Sequence, residues 1–146
     1  MNRLSNRCDP EEGSAAIEAA IAVPAFMLFV LLVIFGGRVA MAHQAVQSAA
    51  AEAARTASLE RTEGAAQGSG TSGAAASLTS QGLHCIAQHV DVDASGFAAP
   101  VGTPATIRAT VRCTIDLSDL SVPGVPGSMT ITETMTSPLD TYRERR

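Results

Sequence analysis

The hydrophobic pattern takes three forms along the chain. The first segment is an unbroken apolar run from Ala19 to Gly37, "AAIAVPAFMLFVLLVIFGG", without a charged residue. At about 1.5 Å per helical residue it spans roughly 28 Å, close to a bilayer's hydrocarbon thickness of about 30 Å. It predicts a transmembrane helix. Pro24, near its start, removes one backbone hydrogen bond, which neighbouring helices or a local adjustment can absorb.

Past Gly37 the apolar run stops while helix-forming residues continue: "RVAMAHQAVQSAAAEAARTASLER" has no Pro or Gly and is crowded with Ala, so the helix is expected to reach about Leu59. Val39, Ala42, Val46, Ala49, Ala53 and Thr56 recur at spacings of three and four, a narrow stripe of small side chains. Such a stripe suits close lateral packing in a bundle or filament. Equally, it suits packing on the chain's own C-terminal domain. The following stretch, "EGAAQGSGTSGAAAS" from Glu63 to Ser77, has no aliphatic side chain larger than Ala and reads as a flexible linker. A weak helical stretch over about 74–88 comes next.

The third pattern is alternation. Val90 and Val92 alternate with His89, Asp91 and Asp93, predicting a short strand entering a turn. In "ATIRATVRCTIDL", Ile107, Ala109, Val111, Cys113, Ile115 and Leu117 alternate with polar residues, predicting a strand with one buried and one wet face. After two Pro-Gly breaks in "SVPGVPGS", the segment "MTITETMT" sets Met129, Ile131 and Met135 on one side and Thr on the other. Glu133 interrupts that apolar side, which an edge position or a contact surface would accommodate. The predicted fold class is α+β: a long N-terminal transmembrane helix continuing outside the membrane, packed on a small antiparallel sheet of about three strands.

Composition narrows the function. Aromatic residues are 3% of the chain and Trp is absent, which disfavours a large aromatic-lined ligand pocket. The formal charge is -4, with no Lys, so no nucleic acid partner is expected. Arg3 and Arg7 precede the apolar run and Arg38 follows it; the positive-inside bias then favours a cytoplasmic N-terminus. Cys85 and Cys113 fall on the extracytoplasmic, oxidising side, leaving Cys8 alone in the cytoplasm. A Cys85 to Cys113 disulfide would stabilise a thin core by roughly 3.5 kcal/mol; two buried free thiols are the alternative.

The start of the chain carries the most specific pattern. A short charged leader ends in Gly13, a small residue follows at Ser14, and Glu18 lies inside the beginning of the apolar helix. As an ordinary anchor, Glu18 would snorkel to the headgroups. As a secretory signal, Ala40-Met41-Ala42 would be the cleavage site, although the apolar run exceeds the usual length of such regions. Taken together, "GSAAIEAAIAVPAFMLFVLLV" resembles the type IV prepilin processing site, and more narrowly the start of TadE-like pseudopilins of Tad/Flp pilus systems, over Gly13 to about Leu59. The resemblance implies that a prepilin peptidase cuts after Gly13 and leaves the helix attached. The new α-amine on Ser14 would be largely cationic near neutral pH, and Glu18 of a neighbouring subunit would neutralise it in apolar surroundings, setting subunit registry.

The resulting division is a cytoplasmic leader over 1–13, a transmembrane helix over 14–37, its extracytoplasmic continuation over 38–60, the linker over 61–77 and a disulfide-bridged outer domain over 78–146. The resemblance implies a minor pseudopilin acting in pilus biogenesis, assembly or adhesion, in the cell membrane or a surface pilus. Its implied partners are the prepilin peptidase, other pilin or pseudopilin subunits, the inner-membrane assembly platform and membrane lipid. The alternative is an uncleaved single-pass envelope protein with an extracytoplasmic binding domain.

Catalytic chemistry is not expected. His84, Cys85 and His89 lack a fourth ligand at a recognisable spacing. "DVDASG" imitates the opening of a calcium loop, yet Gly102 stands where the closing Glu belongs. No metal, cofactor or catalytic residue is assigned, and the protein is read as a non-enzyme.

Overall fold

A computed structural model of the chain describes residues 11–120, 124 and 127–142. One helix, α1 (Glu11–Leu59), carries the apolar run and its Ala-rich continuation without a break. Its 49 residues correspond to about 73 Å of length. Pro24 lies inside it. The first large side chains are all open to the surroundings, among them Ile21 at 70% and Phe26 at 66% exposure. From Ala42 onward one side of the same helix is buried: Val46, Ala49, Ala50, Ala53 and Ala57 are each 0% exposed. Phe35, half-buried against this core, marks the crossover.

The small-residue stripe therefore faces the chain's own outer domain. Part of what covers it is a second helix, α2 (Glu63–Ser80), where the sequence predicts the linker 61–77. This corrects that expectation. Thr62 caps the helix through its hydroxyl, which accepts the Ala65 N–H at 3.2 Å, and Glu63 sits in the first turn, favourable beside the positive end of the helix dipole. At the other end Gly82 takes φ +67°. There the Leu83 N–H reaches back to Leu78 O at 3.1 Å and the Gly82 N–H to Thr79 O at 3.0 Å, a Schellman stop. The helix thus ends before the weak helical stretch expected over 74–88 is complete.

Ala66, Gly70, Ala74 and Leu78 form the buried side of α2, spaced by four residues so that they line one ridge. The helix packs antiparallel to α1: the Thr56 hydroxyl donates to Ser69 O at 3.3 Å, and Gln81 Nε2 donates to Ala45 O at 3.4 Å. Approach is so close that a Cβ built on Gly70 would lie 2.9 Å from Val92 Cγ2 and 3.1 Å from Ala53 O. Glycine there creates the space for helix contact, and burial outweighs its poor intrinsic helix propensity.

The sheet has the order β1 (Ala87–Asp93), β2 (Thr106–Asp116), β3 (Ser128–Pro138), antiparallel throughout. Pairing sets Val90 opposite Val111 and Val111 opposite Glu133. Ile107, Ala109, Val111, Cys113 and Ile115 of the central strand are all buried beneath the helices. The other face is polar and uncovered, with Thr110 and Thr134 hydroxyls 2.9 Å apart and Thr114 and Thr130 likewise at 2.9 Å. The architecture is α+β, as the alternation predicts.

Candidate functional site

The residues singled out for processing and registry lie in the first turns of α1. Gly13 and Ser14 belong to the helix, and Glu18 follows Ser14 by one turn on the same side. That places the two about 6 Å apart along the axis. Glu18 is exposed, as are Ile17 and Val23 at 65% and 59%. Ile17 through Phe29 is exposed all round the cylinder, so nothing within the described chain covers this part of the helix. Among the described residues α1 alone is long and apolar enough to cross a membrane.

An apolar cylinder of this kind is stable in lipid or against other apolar helices, because water contact would cost on the order of 25 cal/mol for each Å² left bare. The carboxylate of Glu18 is the exception on it. In hydrocarbon it needs a cation or the interface, and the described part of the chain places no basic side chain on this stretch of helix.

Where α1 leaves the apolar segment, polar contacts fasten it to the outer domain. Arg38 Nη1 donates to Asp119 Oδ2 at 2.6 Å. One turn and a half further, His43 Nδ1 meets Glu133 Oε1 at 3.0 Å. This accounts for Glu133 on the inner face of β3: it turns towards α1 and finds a partner there. Ser137 Oγ donates to Ser58 Oγ at 3.0 Å near the far end. An exposed ion pair such as Arg38–Asp119 contributes little to stability, about 0–1 kcal/mol; the buried stripe Val46, Ala49, Ala53 and Ala57 sets which side of the helix faces the sheet.

Cys85 and Cys113 form a disulfide with their Cα atoms 5.3 Å apart. It joins the connection after α2 to the central strand across a separation of 28 residues. Cys113 is fully buried. Cys8 lies outside the described residues. The processing and registry positions sit at one end of α1 and the disulfide in the outer domain, so these are two separate sites. His84 and His89 are also kept apart: His84 lines a cleft beside α1, whereas His89 pairs with Arg112 in the register of the outer sheet face.

Two outer carboxylates have structural partners. Asp93 Oδ1 accepts the Ser95 N–H at 3.0 Å, and Asp116 Oδ1 accepts the Ser118 N–H at 2.9 Å. These bonds to Ser95 and Ser118 favour the ionised forms and hold both carboxyls below the ordinary aspartate range, with Arg108 adding a smaller effect at Asp93. Asp93 of the calcium-like "DVDASG" thus serves a turn.

Sequence reasoning missed α2 and the pairing of His43 with Glu133. For α2 the signals were present at its ends, in Thr62, Glu63 and Gly82. For the pair, the partners are 90 residues apart and no local pattern connects them. Residues 13–55, which include Gly13, Ser14 and Glu18, match the family model described as TadE-like protein. No curated protein and no solved structure matches the chain.

Proposed function

We propose that this chain, with its TadE-like first helix, is a minor pseudopilin of a Tad/Flp-type pilus. A TadE-like segment points to a Tad pilus-associated protein, and proteins of that family are structural pilus components. The finer reading rests on one observation: residues 17–29 of α1 are bare on every side, while one side of its C-terminal part is buried in the chain's own domain. The first part is available to lipid before assembly and to other apolar helices after it; the second presents the outer domain.

In this reading a prepilin peptidase removes the leader after Gly13. The amine of Ser14 then pairs with Glu18 of an adjacent subunit shifted along the axis. Leaving either charge alone among apolar side chains costs a few kcal/mol, so the paired register is preferred over slipped ones. The N-terminus faces the cytoplasm and the disulfide-bridged domain lies outside, on the oxidising side. The assembly platform, other pilin subunits and the peptidase are its partners.

The test is the mature N-terminus after co-expression with a prepilin peptidase and the other pilus components. A chain beginning at Ser14 is expected, and Gly13→Ala should block the cut. Glu18→Gln should still be trimmed but should fail to enter filaments. A chain that still begins at Met1 would refute processing and favour the uncleaved envelope protein; one beginning at His43 would refute it in favour of a cleaved secretory signal. Normal incorporation of Glu18→Gln would refute the registry.

A further inference from the structure

The order β1-β2-β3 leaves β1 and β3 outermost, and among the described residues no other segment pairs with either. The Leu139 N–H donates to Ala105 O at 2.8 Å and the Leu117 N–H to Gly127 O at 2.9 Å, both in the register of the β2–β3 ladder. Antiparallel pairs alternate, so the odd-numbered residues of β3 bond to β2 and the even ones turn their N–H and C=O outward. Those outward groups belong to Ser128, Thr130, Thr132, Thr134 and Thr136, all exposed. The even-numbered groups of β2 are then left for Ala87, His89, Asp91 and Asp93 of β1, and Gln88, Val90 and Val92 face outward on that side. An inward charge is a usual guard on such an edge. Here that charge, Glu133, is held by His43 at 3.0 Å, so an added strand buries no lone carboxylate.

The two edges fit each other. Both β1 and β3 run opposite to β2 and hence in the same direction. A copy displaced sideways without rotation therefore brings its β1 against β3 as a parallel pair. In such a pair a bonding residue stands beside a non-bonding one, and their side chains share a face. The bonding Thr residues of β3 and the non-bonding His89, Asp91 and Asp93 of β1 all lie on the uncovered face, so hydrogen-bond parity and facing agree. Gln88, Val90 and Val92 each offer one N–H and one C=O. Two registers satisfy every one of these groups, with His89 beside Thr132 or beside Thr130. Sliding one way meets Pro138, which has no N–H; sliding the other way runs past Ser128, where β3 begins.

Pairing β3 with β3 of a second copy is the competing arrangement. It is antiparallel, about a twofold axis normal to the sheet. That axis reverses α1 as well, since α1 advances along β3 from His43 at Glu133 to Ser58 at Ser137. The apolar runs of the two chains would then point in opposite directions, which a common membrane orientation forbids, given the reading of residues 19–37 as a span, on which this inference rests. We propose that β3 of one chain adds to β1 of a second copy, extending one sheet across neighbours whose spans all run the same way. The contact joins unlike edges, so it repeats and adds copies in a row.

The test uses full-length chains in a Cys8→Ser background, co-expressed in a bacterial membrane and oxidised with copper phenanthroline. One chain carries His89→Cys; the other, separately tagged, carries Thr132→Cys or Thr130→Cys. Adjacent strands lie about 4.8 Å apart, within the roughly 4.4–6.8 Å that a disulfide spans between Cα atoms. A mixed dimer is expected from one of these two pairs, none from any of the cysteines alone, and none from His89→Cys with Thr110→Cys on the central strand. Thr134→Pro removes an outward N–H and no bond to β2. It should lower the mixed dimer about tenfold, the ratio for one lost hydrogen bond, with the Cys85–Cys113 bond still formed. Thr134→Ala keeps that N–H and should leave the yield unchanged. No mixed dimer from either pair, in chains that resist alkaline extraction from the membrane, would overturn the edge pairing while the span reading stands. Equal yields from Thr134→Pro and Thr134→Ala would do the same. Crosslinking of Thr132→Cys chains to each other would overturn both, because the spans would then be opposed.

Discussion

The two halves of α1 solve the same problem, an apolar helix surface, with opposite side chains. Below Arg38 the helix displays Leu, Ile, Phe and Val on all sides; above it the buried positions are almost entirely Ala, with Val46 and Ser58 the exceptions. Large side chains suit a neighbour that is fluid or that belongs to another subunit, since lipid adapts to their shape. Small ones suit a fixed neighbour from the same chain, because they let backbones approach until main-chain atoms touch, as at Gly70 over Ala53. The size of the apolar residue, more than its hydrophobicity, distinguishes the surface left bare from the one used in folding.

Three changes sharpen or break this contrast. The largest effect is expected from Cys85→Ser combined with Cys113→Ser. Loss of the bridge should cost the outer domain roughly 3.5 kcal/mol, read as a lower urea midpoint and as new tryptic cleavage at Arg55 and Arg61, with the span still protected in detergent. Unchanged resistance at those arginines would mean that the Ala-rich half is held by packing alone.

Next is Gly70→Val, which drives a branched side chain into Val92 and the Ala53 carbonyl and should destabilise by about 1–3 kcal/mol. Its control is Leu32→Ala in the exposed half, where the outer domain's denaturation midpoint should stay within about 0.5 kcal/mol. Similar losses from both would abolish the distinction between the halves.

The smallest effect is acid sensitivity confined to the outer domain. The carboxyls of Asp93 and Asp116 titrate lower in the folded chain than in the unfolded one. Their contribution is therefore complete above the unfolded value of about 3.9 and fades as pH falls through it towards the folded value. Urea midpoints should drop between pH 5 and pH 3, in a step that Asp93→Asn with Asp116→Asn makes shallower. An unchanged step would assign the acid response to other carboxylates.

What the sequence makes legible follows the range of the interactions. The apolar run, the alternation in β2 and the Gly13, Ser14, Glu18 pattern are each written in neighbouring residues, and the helix and strand that the first two predict lie where expected along the chain. The helix α2 is not, because its composition argues for a loop and only contact with α1 reverses that preference: Gly70 and Gly73 are spaces for Ala53 and Thr56, residues far behind them in the chain. Thr62 and Gly82, read as caps, would have bounded it. Glu133 looked misplaced on an apolar strand face until α1 brought His43 to it. The cleft beside Arg38 is assembled from three distant segments, so no stretch of sequence could announce it.

Since α1 crosses Gly36 and Gly37 without interruption and its upper part is held to the outer domain by Arg38 at Asp119, just past β2, and by His43 at Glu133 on β3, the azimuth of that domain is slaved to the rotation of the helix below. Each residue of helix turns what it carries by about 100°. The bearing of the apolar shaft therefore dictates that of the threonine-studded sheet above it, and one alanine inserted after Gly37 would swing that sheet by more than a quarter turn.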